Sequence, residues 1–144
     1  MKIVAGLVGA LLVLNIVRLP TLVRGEGKER GPCWDSAMTQ KALNDCAAQD
    51  AYQADLEMST VFDRALTKYA EDPAKVARIK KAQEAWLAFR DAEVDAYYAA
   101  SDRRDHGSVW PMCKGLELAR LTADRTRQLE RIVEDEPEGD VCRD

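Results

Sequence analysis

The sequence predicts an all-α fold, a small antiparallel bundle of three main helices stapled by disulfides. Three observations carry this. Apolar residues recur at steps of three or four along most of the chain, no segment shows sustained period-two alternation with β-branched residues, and an even set of four cysteines follows what reads as an export signal. With 144 residues, 47% of them hydrophobic and 32% charged, the chain suits one globular domain and not a disordered tail.

The N-terminus comes first. Met1 and Lys2 precede residues 3–17, a run that is apolar apart from Asn15 and is closed by Arg18. At about 1.5 Å per residue it is short for a hydrocarbon core of about 30 Å, so residues 1–25 read as a signal peptide, with an uncleaved anchor as the alternative. The best small-residue cleavage site follows Gly25. Residues 26–144 then form a single helical domain with an acidic C-terminal tail. Loss of Lys2, Arg18 and Arg24 leaves 18 basic against 25 acidic residues, a formal charge of −7. Such a surface repels nucleic acid and anionic lipid and favours a cationic protein partner. The expected location is the periplasm or the exterior, with membrane attachment only through a retained N-terminal segment.

Thr39 is a good N-cap, and behind it Leu43, Ala47, Ala51, Ala54, Met58, Val61, Ala65 and Tyr69 share one helical face. Small residues come first on this stripe, which lets another helix approach closely at its N-terminal end. Asp72 and Pro73 then supply an N-cap and a first helical position. The second helix, 74 to about 101, places Val76, Ile79, Ala82, Trp86 and Phe89 on one face, followed by Val94 and Tyr97. Residues 102–111, DRRDHGSVWP, break the period and form the one substantial loop. From Pro111 or Gly115 a third helix resumes with Leu118, Leu121, Thr122, Arg125, Leu129 and Ile132, and runs out before Pro137.

In an oxidising compartment Cys33, Cys46, Cys113 and Cys142 make two bridges the default, with three connectivities open. Sequence proximity favours Cys33 with Cys46 and Cys113 with Cys142, the latter fastening the tail to the body. A zinc site built from His106 and three thiolates is the rival, but no C-x-x-C or H-x-x-x-H spacing supports it. Neither metal nor cofactor is expected.

Several fragments carry a family resemblance. They are Cys33-Trp34 with Thr39-Gln40, Leu43-Asn44, Cys46-Ala47, Tyr52 and Asp55; then Ala82-Gln83-Glu84-Ala85-Trp86 with Phe89-Arg90-Asp91-Ala92; then Gly107-Ser108, Pro111-Met112, Leu121-Thr122, Arg125-Thr126 and Leu129. In this order, over roughly 33–132, they resemble the LprI-type lysozyme inhibitor family. The resemblance implies an exported or envelope protein in a family with at least one lysozyme inhibitor; one histidine and four cysteines leave few ways to build a catalyst, so the expected role is binding, without catalytic residues, to lysozyme or another cationic cell-wall hydrolase. A non-inhibitory envelope module that binds another protein is the alternative. The family commonly carries cysteines where Val94 stands and near Glu117, which implies that the second bridge is relocated here.

Gln83, Trp86 and Arg90 fall at i, i+3 and i+7 on one face. They are expected as a structural motif, Trp86 in the core and the polar pair reaching carboxylates such as Asp55, in preference to a recognition patch. Arg125, with Thr122 and Thr126, is read likewise as a buried polar clasp. The candidate partner-binding residues are Arg103, Arg104, His106, Ser108 and Trp110, which gather cationic, hydrogen-bonding and aromatic groups on a loop held by a rigid bundle. A lysozyme cleft works through two carboxylates, so such a loop would block it without chemistry of its own. Asp105, His106 and Ser108 lie too close in sequence for a triad and lack an oxyanion-hole motif. Lys75, Arg78, Lys80 and Lys81 form a basic cluster that Glu71, Asp72 and Glu84 offset, which reads as a solvated face.

Overall fold

The computed structural model describes residues 31–99 and 106–134. They form α1 (Pro32–Ser36), α2 (Gln40–Lys68), α3 (Pro73–Tyr98), a 3-10 turn (Gly107–Val109) and α4 (Trp110–Val133), with no strand among the described residues. The expected all-α architecture is therefore present, with one addition. The short α1 has Pro32 in its first turn and too few residues to show a period, so periodicity gives no sign of it.

The helix starts follow the cap signals. Thr39 accepts a hydrogen bond from the Ala42 N–H at 3.1 Å, and Asp72 accepts one from the Lys75 N–H at 2.9 Å with Pro73 just inside the helix. α4 begins at Trp110 with Pro111 in its first turn, slightly earlier than the sequence suggested.

Successive long helices run antiparallel, so α2 and α4 are parallel. Asn44 meets Ser108 at one end, Ala47 meets Gly115, and Lys68 meets Val133 at the other. α4 lies against α2 along nearly its whole length, while α3 touches both more sparsely. The small residues of α2 explain this. Ala47, Ala54 and Ala65 are buried on the face toward α4, and Gly115 offers no side chain to hold the two backbones apart.

Met58, Val61 and Leu129 form the centre of the core, with Phe62, Trp86, Leu87, Ile132 and Val133 packed around them. Full burial of a side chain such as Leu129 stabilises by about 1.5–3 kcal/mol. The inner face of α3 differs from the expected stripe. Ile79, Gln83 and Val94 are buried, whereas Phe89 is 53% exposed and Tyr97 67% exposed. The face turned inward is polar in its middle, so apolar periodicity picked out its flank.

Cys33 and Cys46 are disulfide-bonded with Cα atoms 5.7 Å apart, which clamps α1 onto the start of α2. The Trp34 indole adds a second tie, donating from Nε1 to Asp50 Oδ2 at 2.8 Å. Cys113 makes no disulfide to any described residue. Cys142 lies outside the described residues, as do residues 1–25 and the tail beyond Glu134.

Candidate functional site

Two groups of polar residues stand out, one inside the bundle and one at its loop end. The inner group is built around α3. Arg90 donates from Nη1 to Asp55 Oδ1 at 2.8 Å on α2, and its Nε and Nη2 both reach Asp91 Oδ1 at 3.0 Å. Nη1 also lies 3.5 Å from Thr122 Oγ1 on α4. Two turns earlier on α3, Gln83 uses both ends of its amide. Its Nε2 donates to Met58 Sδ at 3.4 Å, and its Oε1 accepts from Arg125 Nε at 2.9 Å.

Trp86 sits between these two layers, with the Arg90 and Arg125 guanidinium carbons 5.3 and 5.8 Å from its ring centre. A ring at that range attracts each cation through its quadrupole. Burial pushes Arg125 below its ordinary value, but a guanidinium stays charged. Thr126 closes the layer by donating to the Thr122 carbonyl at 3.0 Å. Among the described residues no buried side-chain nitrogen or oxygen lacks a partner. This network ties the three long helices together.

The second group surrounds the end of the loop. Gly107 adopts φ +69°, a left-handed conformation that L side chains adopt only under strain, and so lets the chain turn into the 3-10 segment. The His106 ring stacks on Trp110 with centroids 4.3 Å apart and planes 9° apart, and Tyr98 from the end of α3 leans on the same indole at 5.0 Å. Burial, with smaller contributions from Cys113 and Glu117, holds the Tyr98 phenol above its usual range. On the other side Gln40 donates to Asn44 Oδ1 at 2.9 Å, and Asn44 donates to the Ser108 carbonyl at 3.0 Å. The turn is thus tied to α2, which the disulfide ties to α1.

The loop candidates separate accordingly. His106 and Ser108 are exposed. Trp110 is not a projecting residue. It is only 7% exposed and opens α4 beneath two other rings, because an indole at that position fills the gap between the helix ends. Arg103, Arg104 and Asp105 lie outside the described residues. Gln40 and Asn44 were legible only as parts of a motif; their work in positioning the turn needs the spatial proximity of α2 and α4. No group of three or more potential metal ligands occurs among the described residues.

These features define a small disulfide-clamped helical bundle whose three long helices are tied together by an internal polar network. The profile of the lysozyme inhibitor LprI family matches residues 33–129, and the chain belongs to that family. An uncharacterised protein of Rhizobium meliloti (strain 1021) is 33% identical over 109 residues, covering 68% of this chain and 76% of that protein. No solved structure matches the chain. None of the described helices is long and apolar enough to cross a membrane.

Proposed function

We propose that this protein is exported and inhibits lysozyme, or a similarly cationic cell-wall hydrolase, by stoichiometric binding without turnover. Membership of an inhibitor family is the observation that carries the reading. Charge supports it, since an acidic body attracts a cationic enzyme over several ångströms before contact is made. So does the rigidity of the loop end, where the ring stack, the Asn44 hydrogen bond and the disulfide fix the turn before any partner arrives. In this reading His106 and Ser108, together with Arg103 and Arg104 a few residues earlier in the sequence, enter the cleft and exclude substrate.

A second reading, a non-inhibitory envelope protein-binding module, gains support from the burial of Trp110. The loop loses its one aromatic anchor, the residue type that dominates many interfaces.

The deciding experiment titrates the oxidised protein of residues 26–144 against lysozyme acting on a cell-wall suspension, with repeats at raised salt and after reduction. Saturation near equimolar protein, weakened by salt, is expected. Folded, helical protein that leaves lysozyme fully active would put the envelope-module reading in front.

A further inference from the structure

The acidic segment that follows α4 starts at the rim of a basic groove. This groove, of about 670 Å³, lies where the end of α2, the first turns of α3 and the last turns of α4 meet. Lys75, Arg78 and Arg131 line it together with Glu134. None of these three cations forms an ion pair with a carboxylate among the described residues, although Lys41, Arg90, Arg120 and Arg127 each do. Lys68 also borders the groove but does not count in this balance, because its Nζ donates to the carbonyls of Val133 and Glu134 at 2.9 and 3.3 Å. The acids close to Lys75 and Arg78 in sequence do not offset them here. Glu71, Asp72 and Glu84 do not line the groove, and Asp72 is turned to the Lys75 backbone N–H.

The exit of the chain is fixed at the same place. Glu134 is the C-cap of α4 and has extended backbone, with φ −68° and ψ 146°. Lys68 holds the last carbonyls, and the Tyr69 hydroxyl donates to the Ile132 carbonyl at 3.3 Å. The residues that follow, 135–144, read DEPEGDVCRD, five carboxylates against Arg143. A second hollow beside the same exit offers no comparable surplus, since there Arg64 is opposed by Asp63.

We propose that residues 135–144 dock in this groove, with their carboxylates on Lys75, Arg78 and Arg131. Each ion pair near the surface is weak, but a segment tethered at the rim meets the groove at an effective concentration of order mM, which lets weak contacts hold it. Docking covers three cations that would repel a cationic enzyme, and it stands whether or not such an enzyme is the partner. It also bears on Cys142. Cys113 and Glu134 are 21 residues apart along α4, about 31 Å at the rise of a helix. The eight residues from Glu134 to Cys142 reach at most about 26–29 Å. With about 5.5 Å between the Cα atoms of a disulfide, a Cys113–Cys142 bridge needs the segment drawn taut along α4 and out of the groove. The docked segment and that bridge exclude one another.

The test is nitrogen-15 relaxation of the oxidised protein at low salt, with mass mapping of its unreduced peptides. Amide order parameters between residues 136 and 142 are expected above about 0.6, the upper bound of a flexible backbone. Arg78→Glu combined with Arg131→Glu, both exposed positions, should drop them below that value with helix content unchanged, and raised salt should do the same. Arg64→Glu should leave the segment ordered, and the peptide map should contain no Cys113–Cys142 pair. A segment that is flexible in the native chain overturns the proposal, as does one equally ordered in the double variant. Release by Arg64→Glu and not by the pair, or a Cys113–Cys142 bridge in the native protein, overturns it as well.

Discussion

Gly115 and Ala47 are in backbone contact: a Cβ placed on Gly115 would lie 2.9 Å from both the carbonyl carbon and the carbonyl oxygen of Ala47. Gly115→Ala would gain about 1 kcal/mol of helix propensity at an unconstrained site. Here the obstacle is backbone, which cannot swing aside, so α4 must shift away from α2 along the tightest interface. Overpacking of this kind costs about 1–3 kcal/mol, and a net loss of up to about 2 kcal/mol is expected. A denaturant midpoint at or above that of the native protein would show that the helices can part freely at this point.

The inner polar layer makes a second prediction. Gln83→Ala leaves Arg125 Nε without its acceptor and Met58 with a void, and should cost about 2–3 kcal/mol. Arg90→Ala removes a cation whose side chain is 13% exposed and that reaches two carboxylates, at a cost of about 2 kcal/mol. Asp55→Ala should cost about 1 kcal/mol or less, because Asp55 is half exposed and Arg90 keeps Asp91. The order of the three, read from urea unfolding, is the test.

Reduction of Cys33–Cys46 is the third. The bridge closes a span of 13 residues, for which the chain-entropy model gives about 3 kcal/mol. Because α1 has only five residues and none of them is buried, its release should precede global unfolding. Trp34 fluorescence should therefore change on reduction at denaturant concentrations where helix content does not.

At the loop end, His106→Ala with Ser108→Ala should weaken inhibition at a stability cost of only about 0.5–1.5 kcal/mol, the worth of the lost His106–Trp110 stack, since both residues are otherwise exposed. Trp110→Ala should do the reverse in emphasis, costing about 3 kcal/mol of stability by emptying a buried site. An inhibitor assay in which the double variant retains full potency removes this turn from the interface.

The pH response has a defined sign. The hydrogen bond from Arg120, 2.6 Å from Glu117 Oε1, holds the Glu117 carboxyl below its ordinary range. A carboxylate depressed by folding adds stability at neutral pH, and that contribution disappears as pH falls through the ordinary range toward the lowered value. Glu117→Gln should flatten the acid limb of the stability profile by about 0.5 kcal/mol, as befits a pair near the surface.

Much of this was legible in the sequence. Thr39, Asp72 and Pro73 marked helix starts because caps are local chemistry, and the small residues of α2 announced a close neighbour. The course of α3 was harder to see. Its inward row runs through Gln83 and Arg90, and a polar residue turned inward looks in sequence like one turned to water until its partners on other helices are known. Trp110 misled for a related reason, since its place in an aromatic stack depends on Tyr98 and His106 arriving from either side of a chain break in periodicity. Lys75 and Arg78 were legible as neighbours, whereas Arg131 joins them at the far end of the bundle through the fold alone.

The parallel pairing of α2 and α4 also bears on how the molecule opens. The most extensive interface joins helices that are distant in sequence, while the helix between them is the more lightly attached of the three. An amide-exchange experiment should find α3 losing protection in a sub-global opening that leaves the outer pair intact. The same looseness makes α3 the element that two molecules would exchange at high concentration, each lending its middle helix to the other's paired outer helices.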